Sequence, residues 1–466
     1  MPLEEYVDLA RQVDKTLLKS IPTVGSSGII GSWIDAFKFL FHAKEIVEEG
    51  QRMYGSIFKV PLLDRWTVVV SGAERIHDIR KSSLEELSSI STSKDVDYTF
   101  GRYNRVDPYH VDVIQGALTR NIASCFADIQ DEIEVAFRDN IPMTEGAKTN
   151  DSEQPDVCRA SALILSPIFT PRKRAIAKAE KFLGETIRER MHQQDVYGKD
   201  WPGKPGIIHT MSMTFTTAVY ALATHPEYAE TLREEVESII NEEGCTKDAM
   251  GKMNQLDSFL KEAQRVYGTM GVFGMQRTTR KDFVFSDGTV VPAGVQIVVA
   301  SLSTHTDEKN YEDPLEFKPW RFSEKSKQED EGGEREGEGI RHHMATLSLD
   351  FVFFGHGRPA CPGRFFPINE LKALMSHVLL NFDVKINKFP TPVWFSENQI
   401  PNQSSKVLFR KREFVYIYRS PAKTRTVDLV PQLTLSVNGG DKNTRDVVPQ
   451  LRIHHVASTY YFDQAR

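Results

Sequence analysis

The feature that most limits what this chain can fold into is the run Phe353-Phe354-Gly355-His356-Gly357-Arg358-Pro359-Ala360-Cys361-Pro362-Gly363-Arg364-Phe365-Phe366. Glycines at 355, 357 and 363 let a backbone turn tightly around one thiol, and Pro362 fixes φ just past it. From Asn369 to Leu380 apolar residues recur at helical spacing. A cysteine in a rigid loop that opens a helix meets oriented N–H groups and the positive end of the helix dipole, both of which favour its thiolate. The loop therefore reads as a way to present a sulfur anion to a metal. The plainer alternative is a buried, inert cysteine at a turn.

The remaining bulk properties narrow the partners. The chain has 466 residues and a net charge of -6, so it can bury a large core and offers no basic field for a phosphate backbone; nucleic acid is not an expected partner. Cys125, Cys158, Cys245 and Cys361 show no paired spacing, which argues against a disulfide framework or a zinc cage. The charged N-terminus lacks the apolar core of a signal peptide. The stretch from Ile29 to Phe41 is too short to span a bilayer, which takes about 20 mostly apolar residues, and Asp35 and Lys38 interrupt it. Its cluster of Trp33, Phe37, Phe39, Leu40 and Phe41 leaves two readings open, a helix packed on the core or a peripheral contact with a membrane surface.

Along the chain, Ser56 to Val60 and Trp66 to Val70 predict a hairpin, followed by a helix from Ala73 to Arg80. Helical periodicity then dominates from Ile114 to Phe137, Arg172 to Met191 and Pro226 to Asn241. Past Met270 the signal turns to strands, with Phe283 to Phe285 and Thr289 to Val291 paired across a Ser-Asp-Gly turn and Val295 to Ala300 continuing the sheet. The expected class is mostly α with a smaller β portion. Glu324 to Gly339 is charged and Gly-rich, and is expected to be a solvated acidic loop. Gly146 to Pro155 is a second polar break. Residues 1–20 read as a lead segment, 21–415 as the main domain, and 416–466 as an appended, weakly structured tail whose Asp428 to Leu433 and Asp446 to Leu451 nearly repeat.

Phe354-Gly355-x-Gly357-x-x-x-Cys361-Pro362-Gly363 resembles the haem-binding loop of the cytochromes P450, and GRPACPGRFF resembles fungal members. The resemblance implies Cys361 as the axial thiolate ligand of haem b iron, with Phe354 and Arg358 beside the cofactor. Pro359 stands where the family usually has a basic residue, so the propionate partner is left open. Glu262-Ala-Gln-Arg265 matches the family's E-x-x-R, with both side chains on one helical face. Glu185-Thr-Ile-Arg188 and Glu230-Thr-Leu-Arg233 match the spacing equally well, but only Glu262 and Arg265 precede, in the family's order, a strand region, Phe317-Lys-Pro319-Trp-Arg321-Phe322 and the cysteine loop. The resemblance makes Glu262, Arg265 and Arg321 a structural network behind the haem.

By the same resemblance Arg277 meets a propionate, the alternative being an exposed strand arginine; His209-Thr210 sits at the place of the family's acid-Thr proton relay, the alternative being an ordinary polar pair in a first helical turn; and Phe273 and Met275 line a pocket or simply pack the core. It covers Ile21 to Arg412 with gaps in the distal and central helices, since Trp201-Pro-Gly-Lys-Pro-Gly206 would break a helix and little room lies between Asn140 and Arg172. The implied activity is oxidation of a small apolar organic substrate with dioxygen. No G-x-G-x-x-G follows a strand, so electrons are expected from NADPH through a separate cytochrome P450 reductase. The implied location is the cytoplasmic side, at an endoplasmic-reticulum membrane or free of it. The rival expectations are a haem-binding protein without catalysis and a truncated, non-functional product.

Overall fold

The computed structural model describes residues 18–26, 28–63, 65–89, 119–141, 206–268, 271–331 and 343–412. Helix α1 (Ile29–Tyr54) carries Ala36, Phe39, Ala43 and Val47 on a buried face and Ile30, Trp33, Ile34, Phe37 and Phe41 on an exposed one. The aromatic cluster expected at its start is thus divided. Phe39 stacks on Phe273 in the core at 5.6 Å and Leu40 is half-buried, while Trp33, Phe37 and Phe41 face outward. No helix among the described residues is long and apolar enough to cross a membrane.

Strands β1 (Ile57–Pro61) and β2 (Trp66–Val70) form the predicted hairpin, Ile57 opposite Val70, and lead to α2 (Ala73–Lys81) and the short β3 (Leu87–Ser88). Helix α3 (Thr119–Asn140) follows; the first residues of the helix expected from Ile114 lie outside the described residues. So do the Gly146 to Pro155 break, the Arg172 to Met191 helix, most of the Trp201 to Gly206 breaker, residues 1–17 of the lead segment and the 416–466 tail.

After α4 (Gly206–Thr224), Pro226–Tyr228 form a 3-10 turn and α5 runs Ala229–Glu243, so the α-helix expected from Pro226 starts three residues later. Proline lacks an N–H and suits such a first turn. Helices α6 (Lys247–Lys252) and α7 (Asn254–Tyr267) complete the helical half. Strands β4 (Phe273–Thr279), β5 (Phe283–Val284), β6 (Val290–Val291) and β7 (Gln296–Ala300) precede the short α8 (Ser301–His305). Next comes α9 (Arg321–Glu331), which corrects the expectation of an irregular loop from Glu324. Glu, Lys and Gln there are good helix formers, and buried Arg321 and Phe322 anchor the first turn. Residues 332–339 of that stretch lie outside the described residues.

Helix α10 (Phe365–Asn381) begins four residues earlier than the apolar periodicity alone implied. Small strands β8 (Phe382–Lys385), β9 (Val393–Phe395), β10 (Asn398–Ile400) and β11 (Leu408–Lys411) pair as β8 with β11 and β9 with β10. The main sheet has the order β1-β2-β7-β4-β3, with β2 and β7 parallel and β4 antiparallel to β7 across a bulge between Gly274 and Arg277. Helices α3, α4, α5, α7 and α10 share one apolar core, which includes Phe137, Phe215, Val219, Leu260 and Leu374. The fold is mostly helical with a smaller sheet, as the pattern of the sequence predicts.

Candidate functional site

The cysteine loop hangs between the end of the main sheet and α10. Gly355 and Gly357 hold φ of 69° and 76°, the left-handed region that glycine enters freely. At Gly357 a Cβ would lie 2.6 Å from the Arg80 carbonyl oxygen, so the loop also needs glycine for close backbone approach to α2. Gly363, expected to share this role, does not adopt a positive φ. The loop is closed by the Cys361 N–H, which donates to the Phe354 carbonyl at 2.8 Å, and by the Arg364 guanidinium, which donates to the Cys361 carbonyl at 3.1 Å. The Phe354 ring stands edge-on to Phe353 at 4.9 Å.

Burial pushes the Cys361 thiol up from its ordinary value, opposed by the N–H groups of Gly363 and Arg364 and by the Arg364 charge. The helix-start environment read from the sequence is therefore present but outweighed. A sulfur placed this way becomes a thiolate when a cation binds it. Among the described residues no three His, Cys, Asp or Glu side chains converge as a metal cage.

Behind the loop lies a network built on α7. Glu262 is fully buried and accepts from Arg265 Nε and Nη2 at 2.7 Å each, from Arg321 Nε at 3.1 Å and from the Lys318 N–H at 3.0 Å. Arg265 also donates to the carbonyls of His305 (2.7 Å), Pro314 (2.6 Å) and Glu316 (3.3 Å), while Arg321 donates to those of Glu312 (2.6 Å), Asp313 (3.3 Å) and Glu316 (3.4 Å). Both guanidiniums lie over the Tyr311 ring. Of the two other E-x-x-R matches, the one within the described residues differs from this one. Glu230 and Arg233 pair at 2.6 Å with Glu230 exposed, and Glu185 and Arg188 lie outside the described residues.

Two residues on this scaffold reach the segment that enters the loop. His305 Nε2 accepts the Val352 N–H at 3.0 Å, and burial, with the Arg265 charge second, lowers the imidazole to about 3. Lys261 lies over Phe322 and Phe351 at 4.2 and 4.9 Å, and burial lowers it to about 8. Neither was read from the sequence. For Lys261 the available signal was a charged residue at an inward position of the amphipathic α7.

Arg277, on β4, is buried, and burial lowers its guanidinium to about 10. Its Nη1 donates to the Gln276 carbonyl at 2.7 Å and its Nη2 to the His356 carbonyl in the cysteine loop at 3.4 Å, and no carboxylate among the described residues pairs with it. A buried cation without an anion is costly, so this position fits an anionic group bound at the loop. Arg358 is exposed, with no ion pair among the described residues. Phe273 packs in the core on Phe39, and Met275, held at φ 45° in the β4 bulge, reaches the Gly355 side of the loop.

Thr210 is exposed near the start of α4, its carbonyl accepting from the Thr214 hydroxyl at 2.9 Å. His209 precedes it in the same helix.

Fold and site together define a mostly helical protein that presents one sulfur ahead of a long helix, the class that includes the haem-thiolate oxidoreductases. Comparison with known proteins agrees. The family model described as Cytochrome P450 matches residues 206–410. The chain is 36% identical to cytochrome P450 monooxygenase 151 of Postia placenta, over 85% of this chain and 94% of that protein. It is 29% identical to cytochrome P450 monooxygenase CYP512U6 of Ganoderma lucidum, over 79% and 86%. It is 25% identical to cytochrome P450 monooxygenase paxQ of Penicillium paxilli, over 85% and 92%. The chain belongs to the cytochrome P450 family. Membership implies an oxygenase with thiolate-ligated haem iron, an organic substrate and a redox partner. The 482 positions aligned with the first Postia relative exceed the 85% of this chain they cover, so that relative carries residues this chain lacks.

Proposed function

We propose that the chain is a haem-thiolate monooxygenase in which Cys361 Sγ is the axial ligand of haem b iron, within a haem domain spanning 21–415. The observation that carries this reading is Arg277, a buried guanidinium without a carboxylate beside the same loop that holds the thiol. One haem would answer both, with iron for the sulfur and a propionate for the guanidinium. When bound, the haem supplies activation of dioxygen, with one oxygen atom entering the substrate.

The chain's own residues do the rest. The Gly363 and Arg364 N–H groups point at the sulfur and would favour its anion once a cation binds it, and the Cys361 N–H to Phe354 carbonyl bond closes the loop. The Phe353 and Phe354 rings pack edge to face at the entrance of the loop. Glu262, Arg265 and Arg321 keep the scaffold behind the loop rigid, because every charge in the cluster is paired. Thr210 Oγ1, with His209 preceding it in the sequence, would hold a proton for the oxygen chemistry.

Electrons come from NADPH through a separate reductase. Basic groups gathered near the loop support this: His356 is lowered by burial and by the charges of Arg80, His77 and Arg364, and Arg358 is exposed next to it. Such a patch steers an acidic partner surface. The substrate is a small apolar organic molecule. The exposed stripe of Ile30, Trp33, Ile34, Phe37 and Phe41, at helical spacing and rich in aromatic rings, supports peripheral contact with a membrane such as the endoplasmic reticulum. Failure of the purified protein to co-sediment with phospholipid vesicles would remove that part.

The deciding experiment is the carbon monoxide difference spectrum of the reduced protein, for the wild type and Cys361→Ala. The wild type is expected to show the thiolate-type band and the variant to lose it. An unchanged spectrum in the variant would refute the assignment.

A further inference from the structure

A second ion pair is buried in α7. Asp257 and Lys372 are each 3% exposed, and their side chains meet at 2.7 Å. Asp257 Oδ2 also accepts the Met344 N–H at 2.7 Å, and Lys372 Nζ donates to the Met250 carbonyl at 3.0 Å. The pair fastens three pieces of chain, two of which flank Cys361 in the sequence. They are α7 behind the loop, the Met344 segment that runs into it, and α10 that leaves it.

Lys372 stands among the buried Leu371, Ala373, Leu374 and Met375 of α10, two residues after Glu370, a fully buried carboxyl that burial pushes well above its ordinary value. Burial would raise the Asp257 carboxyl, but Lys372, His343 and the Met344 N–H outweigh it and hold the group below its ordinary value. Stability alone does not account for such a pair. Desolvation of two ions offsets most of their attraction, and apolar residues of the same volume often stabilise as well or better. What the ions add is register. Sliding α10 against α7 by a turn would leave two bare charges buried, whereas an apolar contact would tolerate the slip.

We propose that Asp257 and Lys372 are positioning residues for Cys361, fixing the register of α10 and of the Met344 segment and hence the place of the thiol between them. This rests on the reading of Cys361 as the haem-iron ligand.

The test uses the full haem-loaded chain and four variants: Lys372→Met, Asp257→Asn, the double variant, and Arg233→Met for comparison. Arg233 is a buried arginine of α5 that donates to the Leu379 carbonyl at the far end of α10 and pairs with Asp383. For each protein the rate at which the thiolate-type carbon monoxide band converts to a shorter-wavelength band is measured, at urea concentrations that give equal folded fractions. Lys372→Met and Asp257→Asn are expected to convert about tenfold faster than wild type, and Arg233→Met within about twofold. The double variant is expected to regain much of the urea midpoint, since neither ion is left bare, while still converting fast. Recovery of both midpoint and rate in the double variant would overturn the proposal, because the pair would then be a structural tie only. So would wild-type rates in both single variants. If Lys372→Met does not fold, Asp257→Asn and the double variant carry the same comparison. A wild type without the thiolate-type band would instead overturn the ligand reading beneath it.

Discussion

Replacing Glu262 by Gln keeps the shape of the side chain and removes its charge. In the native protein this one carboxylate, with no exposed surface, takes three hydrogen bonds from the guanidiniums of Arg265 and Arg321 and one from the Lys318 N–H. The variant leaves two guanidiniums buried with no anion, and its amide nitrogen must face donors that already point inward. Breaking a buried pair by removing one partner costs about 3–5 kcal/mol. That is a large share of the roughly 5–15 kcal/mol that separates a folded protein from its unfolded chain. With a urea slope of about 3 kcal/mol/M, the midpoint should fall by roughly 1–2 M. Urea titration followed by far-UV circular dichroism gives the midpoint, and haem content per folded protein gives the functional readout. Arg321→Lys, which keeps the charge but loses the fork, should fall between Glu262→Gln and wild type. A midpoint shift below about 0.3 M for Glu262→Gln would mean that the cluster is not a paired buried network, and the reasoning would be wrong.

Other outcomes follow from the same geometry. His305 is lowered to about 3 from an ordinary 6.5, so between those values the unfolded chain binds a proton the native one does not. Stability should therefore fall as pH drops from 6.5 toward 3, by up to about 1.4 kcal/mol per unit. His305→Gln should flatten that slope in thermal melts across this range while still accepting the Val352 N–H, and an unchanged slope would point to other groups. Arg277→Met should relieve an unpaired buried cation in the haem-free protein, raising its melting temperature, and speed haem loss by about tenfold or more; haem retention equal to wild type would count against a propionate contact. Thr210→Ala should leave the carbon monoxide band intact and lower product formed per NADPH consumed, and full coupling in that variant would remove Thr210 from the proton path.

Local constraints were legible in the sequence, and distant ones were not. The turn glycines at 355 and 357 could be read because a positive φ and a close approach are demands that few residues meet. Gly363 shows the limit of that reading, since its backbone needs no such freedom. Glu262 and Arg265 could be separated from two equal spacings only by the order of elements around them, and against Glu230 and Arg233 the structure shows the difference as burial of the glutamate. The Asp257 to Lys372 contact joins residues more than a hundred positions apart, and nothing local to either marks it except a charge among apolar neighbours. Periodicity placed the hairpin of β1 and β2 but not the parallel partner of β2. At Glu324 composition misled, because a charged run is good helix material when its first turn is anchored in the core.

The parallel pairing of β2 with β7 has a consequence for synthesis. Thr67 and Gln296, whose side chains meet at 2.9 Å, are 229 residues apart. At about 5–20 residues per second, the ribosome needs roughly 10–45 seconds after making β2 to deliver its neighbour. Through that interval the Val68 to Val70 edge has open backbone groups and an apolar flank. A nascent chain with such an edge invites strand exchange with other copies, so recombinant yield should respond to slower translation and to chaperones that shield the first hairpin more than to any change near Cys361.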